Sequence, residues 1–188
     1  YSNPDNSWTT GATTLTLDDA VSPDGTENAT KIPEGSSSSA HYTHSASASF
    51  TSGSTYTLSA YLKAGTKSIV QLKGTGGAFG SVLYGNFDLA NGVTGSSGSG
   101  VVSTIQDVGN GWYRCSVTGD ATSTASGAAI IIALIDDLTD SRLASYTGST
   151  SNNLYAYGTQ TEQASTPSSL IPTSGATVTR PAETFTIP

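Results

Sequence analysis

Apolar and polar residues alternate along most of this chain, and Gly, Asn, Ser and Pro repeatedly interrupt the alternation. A 3.6-residue apolar period lasting three turns is found almost nowhere, so strands are expected and long helices are not. "TYTLSAYLKAG" shows the pattern best. It places Tyr56, Leu58, Ala60 and Leu62 on one face and Thr57, Ser59, Tyr61 and Lys63 on the other, as a half-buried strand requires. "SIVQLKG" follows after the short "AGTK" link and reads as its hairpin partner. Further strands are predicted at "SVLYGNFDL", "GVVSTIQDV", "WYRCSVTG", "AAIIIALI" and "NLYAYGTQTE". Their spacing predicts an all-β chain folded as a two-sheet antiparallel β-sandwich.

In "WYRCSVT" the period sends Trp112, Arg114 and Ser116 to one face and Tyr113, Cys115 and Val117 to the other, the second set being the core face. Trp112 follows the Asn110-Gly111 turn and reads as a structural anchor at a sheet end rather than a ligand platform. The glycine-rich segments at 74–80 and 91–100 read as loop tips. "GSSSSAHYTHSASAS", at 35–49, is polar and of low complexity, and its pattern suits either a loop or an edge strand. The three-proline tail "IPTSGATVTRPAETFTIP" suits an extended segment.

Composition narrows the function classes. With 188 residues the chain is read as one domain, 1–188, in which 173–188 form an extended segment leading towards a further domain. A net charge of -7 with only 7 Lys and Arg argues against nucleic acid and against anionic lipid as partners. The single cysteine, Cys115, has no partner for a disulfide within the chain. "AAIIIALI" falls far short of the roughly 20 residues of a membrane-crossing helix, so no membrane insertion is expected. The chain contains no methionine and no signal-peptide pattern, which suggests a piece of a longer or processed polypeptide.

Four stretches in order carry a family resemblance: "YSNPDNSWTT", "VSPDGTENATKI", "YTLSAYLKAGT", and "FDLANGV" followed by "DVGNGWYRCSVT". With the closing "SYTGSTSNNLYAYGTQTEQASTPSSLIPTSGATVTR", the chain resembles the carbohydrate-binding-like jelly-roll domains of bacteriophage fibre, spike and tail proteins. The resemblance implies a jelly-roll sandwich in a non-catalytic virion module. It further implies host surface polysaccharide and other virion proteins as partners, and a homo-oligomer such as a trimer. Two departures stand out: Gly148-Ser149-Thr150 replaces a usual Gly-Asp-Gly turn, and Thr161 replaces an apolar residue. Modules of this kind can hold a structural calcium near the first strand, which points to Asp5, Asn6 and Asp24.

A sugar site needs flat aromatic faces for the CH faces of a pyranose, with amide, amine or guanidinium groups beside them. The outward phase of the strands offers Tyr61, Lys63, Gln71 and Lys73, which Tyr84, Arg114, Tyr155 and Tyr157 would join on a concave sheet. Asp136, Asp137 and Asp140 form an acidic turn without the spacing of a calcium loop. His41 and His44 lack a third ligand and read as surface histidines. No nucleophile elbow is present, and no motif pairs Asp88, Asp107, Asp120 and Glu162, so an enzyme is not expected. Three other roles stand beside the glycan-binding one. They are a purely structural oligomerisation or attachment domain, a carbohydrate-binding module of a secreted bacterial polysaccharide-degrading enzyme, and a glycan lyase or hydrolase.

Overall fold

The structure, a computed structural model, describes residues 3–171. The extended tail expected at 173–188 lies outside them. Sixteen strands form among the described residues: β1 (Thr9–Gly11), β2 (Thr16–Val21), β3 (Glu27–Pro33), β4 (Ser38–Ser39), β5 (His41–His44), β6 (Ser47–Phe50), β7 (Thr55–Ala64) and β8 (Ile69–Lys73). After the four-residue helix α1 (Gly76–Phe79) come β9 (Tyr84–Asp88), β10 (Val93–Ser97), β11 (Val102–Gly109), β12 (Trp112–Asp120), β13 (Ala125–Ala128), β14 (Ile131–Leu134), β15 (Tyr146–Thr147) and β16 (Asn153–Glu162).

Two six-stranded sheets carry the architecture. The first has the order β1-β5-β14-β8-β9-β10 and the second β11-β12-β7-β16-β3-β2, with antiparallel pairing throughout. Their inner faces make one core from the alternate residues of each strand. Leu58, Leu62, Cys115, Val117, Leu154 and Ala156 of the second sheet join Val70, Leu72, Phe87, Ile132 and Leu134 of the first, all without measurable exposure. The chain is therefore the all-β sandwich that the alternation predicts.

Three local expectations are corrected. β7 and β8 are not a hairpin. Both edges of β7 are already taken by β12 and β16, so the link after it carries the chain across to the other sheet. Lys67 N–H bonds the Asn153 carbonyl at that crossing. The glycine-rich segment at 74–80 is not a solvated tip, because Phe79 on α1 is buried edge-on against Phe50, with ring centroids 4.9 Å apart. Within 91–100, residues 93–97 form β10, paired with β9.

The polar stretch 35–49 contributes β4, β5 and β6, and β5 lies inside the first sheet between β1 and β14. Its inward residues are polar but satisfied. Thr43 Oγ1 donates to the Thr9 carbonyl at 3.2 Å, and His41 Nδ1 lies 2.7 Å from the Ala12 carbonyl. Burial of hydrogen-bonded polar groups costs little, which is how a serine-rich sequence makes an internal strand.

Candidate ligand-binding face

Pleating sends every second residue of β3, β7, β12 and β16 to the outside of the second sheet. Register then aligns them in rows. In one row Trp112 stands opposite Lys63, Lys63 opposite Tyr155, and Tyr155 opposite Lys31, across four neighbouring strands. In the next, Arg114 stands opposite Tyr61 and Tyr61 opposite Tyr157. Five of the expected sugar-site residues, Tyr61, Lys63, Arg114, Tyr155 and Tyr157, thus share this outer face.

Much of that face is roofed by the chain itself. The β2–β3 hairpin curls over it, so that Trp112 Nε1 donates to the Val21 carbonyl at 3.0 Å and Tyr157 OH donates to Asp24 Oδ2 at 2.7 Å. From the other side, Arg114 donates to the Ser168 carbonyl at 2.5 Å, and Leu170 packs against the aromatic cluster. Gly158, at φ 57°, sits where a Cβ would lie 3.0 Å from Leu170 and 3.1 Å from Tyr61. The result is a second small core of Ala29, Trp112 and Tyr157 on the outside of the sheet. Trp112 is 1% exposed and is a structural anchor, within this second core. Tyr61, with the Arg114 guanidinium 5.4 Å above its ring, belongs with it.

The row Lys31–Tyr155–Lys63 stays half-exposed. Lys63 Nζ lies 6.0 Å from the Trp112 ring centroid and makes no ion pair among the described residues. Lys31 pairs with Asp19 at 3.4 Å. Tyr155 stands between the two lysines in register and packs against the second core. Lys31 escaped the sequence reading because the short "NATKIP" alternation of β3 was not recognised as a strand.

Gln71 and Tyr84 are placed elsewhere, on the outer face of the first sheet. Gln71 is fully buried there and donates to Asn86 Oδ1 at 2.8 Å and to the Ser141 carbonyl at 3.2 Å. Its own oxygen accepts from Leu143 N–H at 2.8 Å. Asn86 in turn donates to the Leu138 and Asp140 carbonyls. These two amides fasten the 138–143 segment across the sheet. Tyr84 is half-buried beside Lys73, its register partner on β8.

The carboxylates considered for calcium already accept hydrogen bonds from the protein. Asp24 accepts from Ser22, Thr26, Asn28 and Tyr157, while Asp5 accepts from the amide and hydroxyl of Ser7. The Thr26 hydroxyl, helped by Tyr157 and Asn28, holds the Asp24 carboxyl well below the usual carboxylate range. Asn6 lies exposed in the turn that follows Asp5. No group of three or more His, Cys, Asp or Glu side chains is placed to hold a metal among the described residues. The acidic turn is likewise self-bonded: Asp137 accepts from Thr139, and Asp140 from the amides of Asp136 and Asp137.

His41 is not a surface histidine. It is fully buried between the Ala12 and Tyr146 carbonyls, with its ring 4.6 Å from that of Tyr146. Beside it Glu34, 2% exposed, accepts from Tyr146 OH, Ser149 N–H, Asn152 Nδ2 and Lys67 Nζ. Lys67 also pairs with Asp136 at 2.5 Å. Every group in this network has a partner, so it ties loops together. His44 is half-buried and stacks on Tyr42, 6.2 Å between centroids.

The carboxylates considered for catalysis are each engaged locally. Asp88 accepts from Ala90 and Asn91, Asp107 from Gly109, Asp120 from Thr55, and Glu162 from Gln160 and Ser168. A pocket of about 170 Å³ between Leu83, Val101 and Thr122 holds only Asp120 among them. No family model matches this chain, and no curated protein matches it either.

Proposed function

We propose that this chain is a non-catalytic glycan-binding module, carried on a bacteriophage particle as part of a fibre, spike or tail protein. The observation that carries the binding reading is the in-register row Lys31–Tyr155–Lys63. It sets a half-exposed tyrosine between two half-exposed lysines on neighbouring strands, residue types that suit a sugar ring bearing hydroxyl or carboxylate groups. The phage assignment rests on the ordered sequence motifs that resemble that family. Host surface polysaccharide is the partner this reading requires.

A glycan array probed with the domain, followed by calorimetry on any hit, tests it. Tyr155→Ala and Lys63→Ala are expected to weaken binding by about tenfold or more each, equivalent to about 1.4 kcal/mol. Unchanged affinity in both variants would remove this face from consideration.

A second reading, an assembly module, is favoured by β11. This eight-residue strand is the edge of the second sheet and exposes Val102 and Val108. An exposed edge with apolar side chains is a template for strand pairing with another chain. Light scattering on the purified protein distinguishes the two: a trimer or dimer broken by Val102→Lys supports assembly through β11.

A further inference from the structure

The outer face of the first sheet brings together two cationic groups, Lys73 and Arg142, neither of which makes an ion pair among the described residues. Lys73 ends β8 and is only 4% exposed, yet it makes no ion pair or hydrogen bond among the described residues. Arg142 is brought alongside by Gln71, which bonds the backbone on both sides of it, at Ser141 and Leu143. The Arg142 guanidinium then reaches past Lys73 to donate to the Gly74 carbonyl at 3.0 Å. Its Nε is buried and has no hydrogen-bond partner.

Burying an ammonium next to a guanidinium is costly unless an anion joins them. The nearby carboxylates are committed elsewhere. Asp88 on the same face turns to Ala90 and Asn91, Asp140 caps the amides of its own turn, and Asp136 pairs with Lys67. Register puts Tyr84 on one side of Lys73 and Ile131 on the other, with His44 beyond Ile131. Burial, helped by Arg142, draws the Lys73 amine down to about 8, as expected where two positive groups share a low-dielectric site.

We propose that Lys73 and Arg142 form a binding site for a single oxyanion, the carboxylate of an acidic sugar or a sulfate or phosphate group. The two side chains supply a point charge and a planar fork, the pair of donors that such groups take up. The site lies on the other sheet from the Lys31–Tyr155–Lys63 row and does not depend on its role.

The test is thermal unfolding of the protein at pH 7 and constant ionic strength, in chloride titrated with sulfate, inorganic phosphate, glucuronate or neutral glucose. Two-dimensional NMR of the backbone amides of Gly74, Tyr84 and Arg142 accompanies it. A saturable rise in Tm with shifts confined to these amides is expected for at least one anion, weakened about tenfold or more in Lys73→Met and Arg142→Gln. Glucuronate alone saturating assigns an acidic sugar; sulfate or phosphate saturating equally assigns a free oxyanion. The proposal fails if no anion saturates above chloride, if glucose acts as well, or if the variants respond like the native protein. Should Lys73→Met not fold, Arg142→Gln and the NMR map of the native protein decide alone.

Discussion

The side chain of Gln71 donates to Asn86 Oδ1 at 2.8 Å in the middle of an outer sheet face, and both residues are wholly buried although that face is turned away from the main core. Their remaining donors and acceptors hold the 138–143 segment down. Asn86→Ala would orphan the Asp140 carbonyl and one amide hydrogen of Gln71, while the Leu138 carbonyl would keep the Ser96 amide. A buried polar group left without a partner costs about 1–3 kcal/mol. Urea unfolding should show a loss of about 2–4 kcal/mol, with faster hydrogen exchange at the Leu143 amide. A variant as stable as the native protein would mean that the segment is held by packing alone.

Glu34 gives the fold an acid-sensitive point. Burial alone would raise its carboxyl, but donors from Tyr146, Ser149, Lys67 and Asn152 outweigh burial and keep it below the ordinary value of 4.5. A carboxyl lowered in the native state stabilises above its unfolded pKa, and that contribution disappears as pH falls through the native value. Stability should therefore drop below about pH 4.5. In Glu34→Gln this part of the acid dependence should be absent, at the expense of lower stability at neutral pH. Identical acid profiles for the two proteins would show that Glu34 is not the group responsible.

Long alternating strands were legible because their inner residues are apolar: β7, β12 and β16 could be phased from Leu58, Cys115 and Leu154 alone. The buried histidine and threonine of β5 carry no such signal, since what permits their burial is the Thr9 and Ala12 carbonyls supplied from far along the chain. The hairpin expected after Ala64 failed for a related reason. A short link looks the same whether the chain turns back or crosses to another sheet, and only the pairing of β7 with β12 and β16 decides it. Strand phase found the aromatic row on the second sheet. It could not show that a distant hairpin, through Val21 and Asp24, closes over half of it.

Cys115 offers a reporter of the inner core. It has no exposed surface, and burial pushes its thiol well above the ordinary value, so the reactive thiolate is scarce and shielded. The native protein should leave a disulfide-exchange chromophore unreacted at pH 8 over hours and release one equivalent on unfolding in guanidinium. Rapid labelling of the folded protein would contradict the packing of β12 against β7 described above.

Lys73 predicts a stability change of the same sign as Glu34, in an alkaline window. Its amine falls from 10.5 to about 8 in the folded protein, first because burial disfavours the ammonium and second because Arg142 repels it. Among the described residues, register also places Tyr84 of β9 beside it and His44 of β5 one strand away, beyond Ile131. Between pH 8 and 10.5 the unfolded chain binds a proton there that the folded chain does not, so stability rises with pH across that window. Each pH unit between the two values corresponds to about 1.4 kcal/mol, giving on the order of 3 kcal/mol in chloride buffer. Lys73→Met removes the titrating group and should flatten this rise, and it should be the more stable protein at pH 7. Parallel curves for the two proteins from pH 7 to 10.5 would mean that the native fold leaves the Lys73 ammonium as stable as the unfolded chain does.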